Sequence, residues 1–318
     1  MFVKEVAGTA NAMAGGWGNL GGGVTQLVMG TLLFPLFKRK MSAEKAWRTV
    51  CLVPAGLAAL TGTGVYFFSD DAPKGNYKEM KKNGTMPEVS AAASFRQGAL
   101  NLNSWILFIQ YGCCFGVELT MNNAAALYFV EEFGQTTESA AAIASIFGWM
   151  NLFARGLGGF CSDKMNDRLG MRGRLYAQFF LLLIEGVLVF VFNRTKSLGA
   201  SIAVMVFFSA FVQACEGSTY GIVPYVNPPA TGSIAGIVGA GGNSGAVAFG
   251  MCFRQLTTRQ AFDIMAAAVC GSALLTVIIF IKGQGNFFKG TATPKKEEHA
   301  TLTVPEPDKE AAADLQKE

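Results

Sequence analysis

The chain has 318 residues, of which 51% are hydrophobic and only 15% are charged, and its formal net charge at pH 7 is +4. A chain so poor in charge cannot cover the surface of a folded domain with polar groups, so the composition excludes a soluble globular protein. It is typical instead of an all-α polytopic transmembrane helical bundle. The sequence has no basic block with interleaved aromatic residues, and we therefore do not expect nucleic acid as a partner.

The histidine and cysteine content argues against an enzyme. The single histidine, His299, lies in the charged C-terminal tail, so neither a Ser-His-Asp triad nor a bis-histidine metal site can be built. The seven cysteines fall in apolar stretches without C-x-x-C spacing, which is typical of small buried hydrophobic residues. We expect no catalytic activity, no cofactor and no metal.

Eight apolar stretches approach or exceed the length of about 20 residues that a helix needs to cross a bilayer. We name these predicted spans A to H in chain order: about 12–37 (A), 47–69 (B), 102–130 (C), 139–161 (D), 175–193 (E), 198–224 (F), 229–253 (G) and 261–281 (H). The sequence predicts a polar loop between B and C, a short basic loop at 162–174 and a disordered tail at 283–318. The distribution of Lys and Arg favours a cytoplasmic position for the polar loop and the tail.

Two spans carry a related glycine-rich pattern around one asparagine. Span A contains Gly18-Asn19-Leu20-Gly21, and span G contains Gly242-Asn243-Ser244-Gly245. Glycines let membrane helices approach closely, and a packing role alone is one interpretation. An asparagine inside a membrane needs a hydrogen-bond partner, so the alternative is that these residues border a bound ligand.

The repeat also predicts a domain organisation. The two copies lie on the first and seventh spans, which implies a repeat of six helices, as in transporters built from two similar halves. We expect the chain to correspond to helices 5–12 of 12, with a genuine eight-helix protein as the alternative. The expected parts are the last two helices of an N-terminal half at 1–69, a central cytoplasmic loop at 70–100, a six-helix C-terminal half at 101–282 and the tail at 283–318.

Arg155 lies inside span D, where a charged side chain is costly and therefore usually functional. Its planar guanidinium can bind two oxygens of a planar oxyanion. The alternatives are that it reaches the membrane surface or pairs with an acid in a loop.

Three carboxylates also lie within predicted spans: Glu118, Glu185 and Glu216. A carboxyl group inside a membrane can take up and release a proton during a transport cycle, although a structural hydrogen-bonding role is equally open for each one. Glu118 and Glu216 have other polar residues nearby in the sequence, and we select these two as candidates for proton coupling.

The segment that follows span D combines glycine, aspartate and clustered arginines. Ion pairs in such a segment can form in one conformation and break in another. We therefore expect a cytoplasmic gating latch made from Asp163, Arg168, Arg172 and Arg174.

Several of these motifs resemble one known family. AGGWGNLGGG at 14–23 and GIVGAGGNSG at 236–245 resemble the two signatures of the nitrate/nitrite porter family of the major facilitator superfamily. NLFARGLGG at 151–159 with GMRGR at 170–174 is similar to the eighth helix and following loop of eukaryotic high-affinity nitrate transporters. FGVELT at 115–120 is similar to their seventh helix.

The resemblance implies a proton-coupled secondary transporter that binds nitrate, or also nitrite, midway across the membrane. The family uses one Arg from its second helix, which this sequence does not contain, and one from its eighth helix, which Arg155 matches. Asn19 and Asn243, with Gly18, Gly21, Gly242 and Gly245, match the signature residues near the substrate. Tyr111 is the best match to an aromatic residue that lines the site, and Phe108 is its competitor.

The expected partners are nitrate, protons, the lipid bilayer and a small accessory membrane protein of the kind that some relatives need. The resemblance implies the plasma membrane, with the vacuolar membrane as an alternative. Two other functions stay open: a non-transporting truncated or sensor membrane protein, and a major facilitator transporter of another small anion.

Overall fold

The computed structural model describes residues 6–71, 75–84 and 90–289. Within them, eight helical segments are long and apolar enough to cross a membrane, which confirms the predicted all-α bundle. The spans keep their letters and have these bounds: Gly8–Lys38 (A), Ala43–Phe68 (B), Leu102–Phe133 (C), Thr137–Leu169 (D), Met171–Phe192 (E), Leu198–Val226 (F), Pro228–Gln255 (G) and Thr258–Ile278 (H).

Span A changes its helical geometry along its length. Its segments are an α-helix at Ala7–Asn19, a short turn at Gly21–Val24, a π-helix at Thr25–Leu33 and a last α-helical turn at Phe34–Lys38. It packs on spans D and F, and on span D it makes a direct backbone crossing. A Cβ atom on Gly148 would lie 2.3 Å from the backbone nitrogen of Gly23, so only glycine allows this approach.

Span B consists of the helices Ala43–Val50 and Leu52–Phe68. The first packs on the end of span A, and the second has no buried residue in the described structure. The polar segment before span C, predicted as a loop between spans, contains two short helices, Tyr77–Lys82 and Ala91–Ala99. The second begins because Ser90 accepts a hydrogen bond from the backbone nitrogen of Ala93.

Spans C to H enclose one aromatic core. It contains fully buried phenylalanines from five of these spans: Phe129, Phe147, Phe192, Phe208 and Phe262. Phe192 of span E is central, since its ring centroid lies 5.9 Å from that of Phe208 and 5.3 Å from that of Phe262. Closely packed small and aromatic residues make up most of the contact between these spans.

The polar segment 162–174 is almost entirely helical, so the predicted loop is wrong. The helix Ala154–Leu169 ends at Gly170, whose φ of 62° and ψ of −154° turn the chain directly into the helix Met171–Phe192. Ser162 and Asp163 are buried while Lys164, Asp167 and Arg168 are exposed. This burial pattern is that of a helix with one polar face covered, which hydropathy alone does not reveal.

Span D is interrupted where the candidate site lies. The helix Thr137–Trp149 passes into a 3₁₀ turn at Met150–Leu152, and the helix resumes at Ala154. Such 3₁₀ turns within a helix often mark functional positions. Here the interruption places Asn151 and Arg155 one turn apart on the inner side of the bundle.

Span G begins with a 3₁₀ turn at Pro228–Ala230, which precedes its helix Thr231–Gln255. Span H is the helix Thr258–Leu275, followed by a 3₁₀ turn at Thr276–Ile278.

A two-stranded antiparallel hairpin follows span H, with β1 at Phe280–Ile281 and β2 at Gly285–Asn286. The side chain of Asn103 bonds both the carbonyl and the amide of Phe280. The predicted disorder is therefore wrong for 283–289, and the rest of the predicted tail lies outside the described residues.

Candidate functional site

Arg155 occupies a buried position where three spans meet. Only 4% of its surface is exposed. Its Nη1 donates to Oε2 of Glu216 in span F at 2.5 Å, and its Nη2 donates to the hydroxyl oxygen of Tyr111 in span C at 2.7 Å. The guanidinium is therefore directed into the bundle, and its acidic partner belongs to a span rather than to a loop.

Aromatic rings form one wall beside the guanidinium. The rings of Tyr111 and Phe115 stack with centroids 5.2 Å apart and planes 18° apart, and the edge of Tyr220 meets Tyr111 at the same distance. The Cζ atom of Arg155 lies 5.9 Å from the centroid of Phe115, a cation–π distance. The guanidinium therefore lies against a flat aromatic surface that carries a positive charge at its edge.

The sequence indicated Tyr111 but missed Phe115 and Tyr220. Both could have been found from helical spacing, because Phe115 lies one turn beyond Tyr111 and Tyr220 lies one turn beyond Glu216. The competitor Phe108 is elsewhere: its ring lies 5.5 Å from Trp105, and its carbonyl faces Gly241 of span G.

The second candidate carboxylate belongs to the same cluster. Glu118 is 1% exposed, and its Oε1 accepts a hydrogen bond from Nδ2 of Asn151 at 2.8 Å. Asn151 and Arg155 lie one helical turn apart in span D, so the carboxyl groups of Glu118 and Glu216 that bond them belong to one buried cluster. Glu185 of span E is equally buried but has no hydrogen-bond partner among the described residues.

Span A approaches this cluster through a glycine that the sequence analysis did not select. A Cβ atom on Gly15 would lie 3.0 Å from Nε of Arg155 and 3.2 Å from its Nη2, so a side chain there would crowd the guanidinium. A Cβ atom on Gly18 or on Gly21 would instead face open space, with no neighbouring atom within 4 Å. Asn19 is partly exposed one turn beyond Gly15, on the same face of the helix.

The matching residues of span G support the aromatic wall from behind. A Cβ atom on Gly242 would lie 2.3 Å from Cδ1 of Phe115, and one on Gly245 would lie 2.1 Å from the carbonyl oxygen of Gly112. Asn243 is exposed, and its Nδ2 donates to the carbonyl of Gly239 in its own helix at 3.3 Å. The structure does not bring Asn243 into the Arg155 cluster, and its role next to the anion stays a prediction.

Of the four predicted gating residues, two form an ion pair and two do not. Oδ1 of Asp163 lies 2.7 Å from Nη1 of Arg174, and its Oδ2 accepts hydrogen bonds from the backbone nitrogen and the hydroxyl of Thr9. Asp163 thus neutralises the N-terminal turn of span A while it pairs with span E. Arg168 is exposed, Arg172 lies 5.9 Å from the ring of Tyr176, and neither pairs with an acid in the described part of the chain.

Comparisons with known proteins agree with this architecture. The chain matches the family model described as Major Facilitator Superfamily over residues 1–250. It is 39% identical over 303 residues to "High affinity nitrate transporter 2.5" of Arabidopsis thaliana, and 38% identical over 294 residues to "High-affinity nitrate transporter 2.3" of Oryza sativa subsp. japonica.

These alignments cover 94% and 91% of this chain but 60% and 57% of the two relatives. "Nitrate transporter 2.1" of Chlamydomonas reinhardtii is 36% identical over 309 residues, which is 94% of this chain and 56% of that protein. The chain thus spans about three fifths of the length of the curated relatives it matches. The expected resemblance to this group is confirmed, and the chain, an integral multi-pass membrane protein, belongs to the major facilitator superfamily.

Proposed function

We propose that the protein carries out secondary transport of nitrate, and of nitrite as a second small planar anion, together with protons. The observation that carries this proposal is the buried guanidinium of Arg155 against the aromatic wall of Tyr111 and Phe115. Guanidinium is planar and permanently charged, so it can bind two oxygens of a planar oxyanion in parallel. The names of the relatives, all nitrate transporters, support nitrate as the anion.

The surroundings of Arg155 favour a small anion over a large one. The guanidinium is held in place by Glu216 and Tyr111, and Gly15 of span A leaves its Nε side free of any side chain. The close approach of Gly15 and the flat stacked rings favour a thin, planar ion over a bulky one. Removing the anion from water is compensated by the charge of Arg155 in this low-dielectric setting.

The ion pair at the end of span D supports a conformational cycle. The pairing of Asp163 with Arg174 and Thr9 joins span A to spans D and E, and we propose that this latch opens and closes as the site changes its accessible side. Arg168 and Arg172 would act in the same latch through another conformation. We also propose the plasma membrane as the location and a small accessory membrane protein as a partner.

Nitrate transport by the chain in a heterologous membrane tests the proposal. We expect nitrate-dependent inward current and uptake of ¹⁵N-nitrate that increase at acidic pH. Arg155→Lys keeps the charge but loses the planar fork, so its apparent nitrate affinity should fall at least about tenfold. Arg194→Lys is the matched control, because Arg194 pairs with Asp263 in a partly exposed setting away from the site. An unchanged nitrate affinity in Arg155→Lys would contradict the assignment.

A further inference from the structure

Two buried carboxyl groups, Glu118 and Glu216, lie beside the Arg155 guanidinium. We propose that they form a pair that shares one proton while the site is empty, and that an anion binding at Arg155 brings a second proton onto the pair. This inference rests on the proposed function, since it explains how anion and proton movement would be linked at that same site. Neither carboxyl group would then be the sole proton carrier.

Charge balance is the first argument. Arg155, Glu118 and Glu216 are 4%, 1% and 0% exposed, and all three lie within spans. One guanidinium and two ionised carboxylates would leave a net negative charge in a water-poor interior, which is unfavourable. One proton on the carboxyl pair makes the cluster neutral.

Hydrogen bonding is the second argument. Glu216 uses Oε2 to accept from Arg155, and Glu118 uses Oε1 to accept from Asn151. The remaining oxygens, Oε1 of Glu216 and Oε2 of Glu118, are buried and have no donor among the described residues. Their partners Asn151 and Arg155 lie one turn apart in span D, which brings the two carboxyl groups to the same buried cluster. A proton on one of them supplies the missing donor as an O–H···O bond, whereas two ionised groups could only repel.

Among the titratable neighbours of Glu216 in the described structure, Glu118 is the one carboxyl group and is therefore the partner for sharing a proton. The titratable or charged side chains around it come from spans C, D and F: Glu118, Tyr111, Cys114, Arg155, Cys215 and Tyr220. Span A faces Arg155 with Gly15 and Gly16, which carry no charge. Arg155 is the one positive group in this set, and it is the group that an incoming anion must share with Glu216.

This arrangement links the binding of the anion to the uptake of a proton. A monovalent anion adds one negative charge to a neutral cluster, and one further proton restores neutrality. Anion affinity should therefore fall by up to about tenfold for each unit of rising pH, and protons and anion should strengthen each other's binding equally. If either glutamate is replaced by glutamine, the other still neutralises Arg155 in the empty site and still takes up one proton with the anion.

Glu185 provides a matched control. It is fully buried in the same set of spans, and its two carboxyl oxygens have no partner among the described residues. It has no contact with Arg155, so Glu185→Gln removes a buried carboxyl without changing the proposed pair. Glutamine has nearly the same volume as glutamate, and the thermal unfolding of each variant reports whether it is folded.

The experiment is nitrate titration calorimetry of the full chain in lipid nanodiscs, in two buffers of different ionisation enthalpy, which counts protons per bound nitrate. We expect about one for the unmodified protein, Glu185→Gln, Glu118→Gln and Glu216→Gln, and close to zero for the double variant Glu118→Gln/Glu216→Gln. A single variant that abolishes proton uptake would overturn the pair in favour of one carrier, and so would a double variant that retains it.

Infrared spectroscopy of the anion-free protein separates this inference from the proposed function. We expect a deuterium-sensitive carboxylic acid C=O band that decreases equally in Glu118→Gln and Glu216→Gln, and a separate band that decreases only in Glu185→Gln. If the unmodified chain fails to bind nitrate, the proposed function fails while the spectra still decide whether the pair shares a proton. An unchanged spectrum in both pair variants would refute it.

Discussion

The two buried arginines among the described residues, Arg155 and Arg174, are each paired with a carboxylate, yet the two pairs differ in the number of carboxyl groups at the arginine. Arg174 faces one carboxylate, Asp163, whose Oδ1 lies 2.7 Å from Nη1 as an ion pair without hydrogen-bond geometry and whose Oδ2 accepts two hydrogen bonds from Thr9, whereas Arg155 lies in a cluster with two carboxyl groups. Glu216 has a donor at only one oxygen, and so does its neighbour Glu118. A one-to-one pair of opposite charges holds elements together, whereas a second carboxyl group beside the same arginine retains capacity for a proton.

Removal of the negative charge of Asp163 should weaken the fold more than any other change proposed here. Asp163→Asn leaves Arg174 buried without its counter-charge, so we expect the free energy of unfolding to fall by about 3–5 kcal/mol. Asp167→Asn is the control, because Asp167 pairs with Lys164 on the exposed side of the same helix and should change stability by less than about 1 kcal/mol. Denaturant or thermal unfolding in detergent measures both, and equal effects would show that the latch is not a structural joint.

A second test concerns the room beside Arg155. The methyl group of Gly15→Ala would lie 3.0 Å from Nε of Arg155 and 3.2 Å from its Nη2, so the guanidinium must move. We expect nitrate binding to weaken about tenfold, the cost of losing one well-placed charged hydrogen bond. Gly18→Ala faces open space and should change the dissociation constant by less than about twofold. A larger effect at Gly18 would instead support the original selection from the signature.

Removal of the carboxylate of Glu216 should affect stability least. Glu216→Gln still offers Arg155 an acceptor, and Glu118 then carries the negative charge that keeps the cluster neutral, so we expect the free energy of unfolding to change by less than about 1 kcal/mol. The same unfolding measurements used for Asp163→Asn apply. A loss as large as that of Asp163→Asn would mean that Glu216 is a structural counter-ion and that the two pairs are alike.

Sequence reasoning succeeded for properties that are local to the chain. The eight spans follow from apolar lengths, and Arg155 was selected because a charged residue inside such a length is costly. Tyr111 and Glu216 were also selected, although their contact with Arg155 could not be foreseen. The helix at 162–169 was missed because its polar residues face a buried partner, which local hydropathy cannot express.

Apolar length and the cost of burying charge thus predict the number of spans, the membrane setting and the charged residues inside it. The fold adds three contacts that no local pattern predicts: Arg155 meets Glu216 and Tyr111, Gly15 rather than Gly18 faces the guanidinium, and Asn243 lies on an exposed face. The physical reason is that hydropathy and helical length are sums over neighbouring residues. Contacts between spans depend instead on the rotation and crossing of each helix, which are set by close packing along the whole bundle.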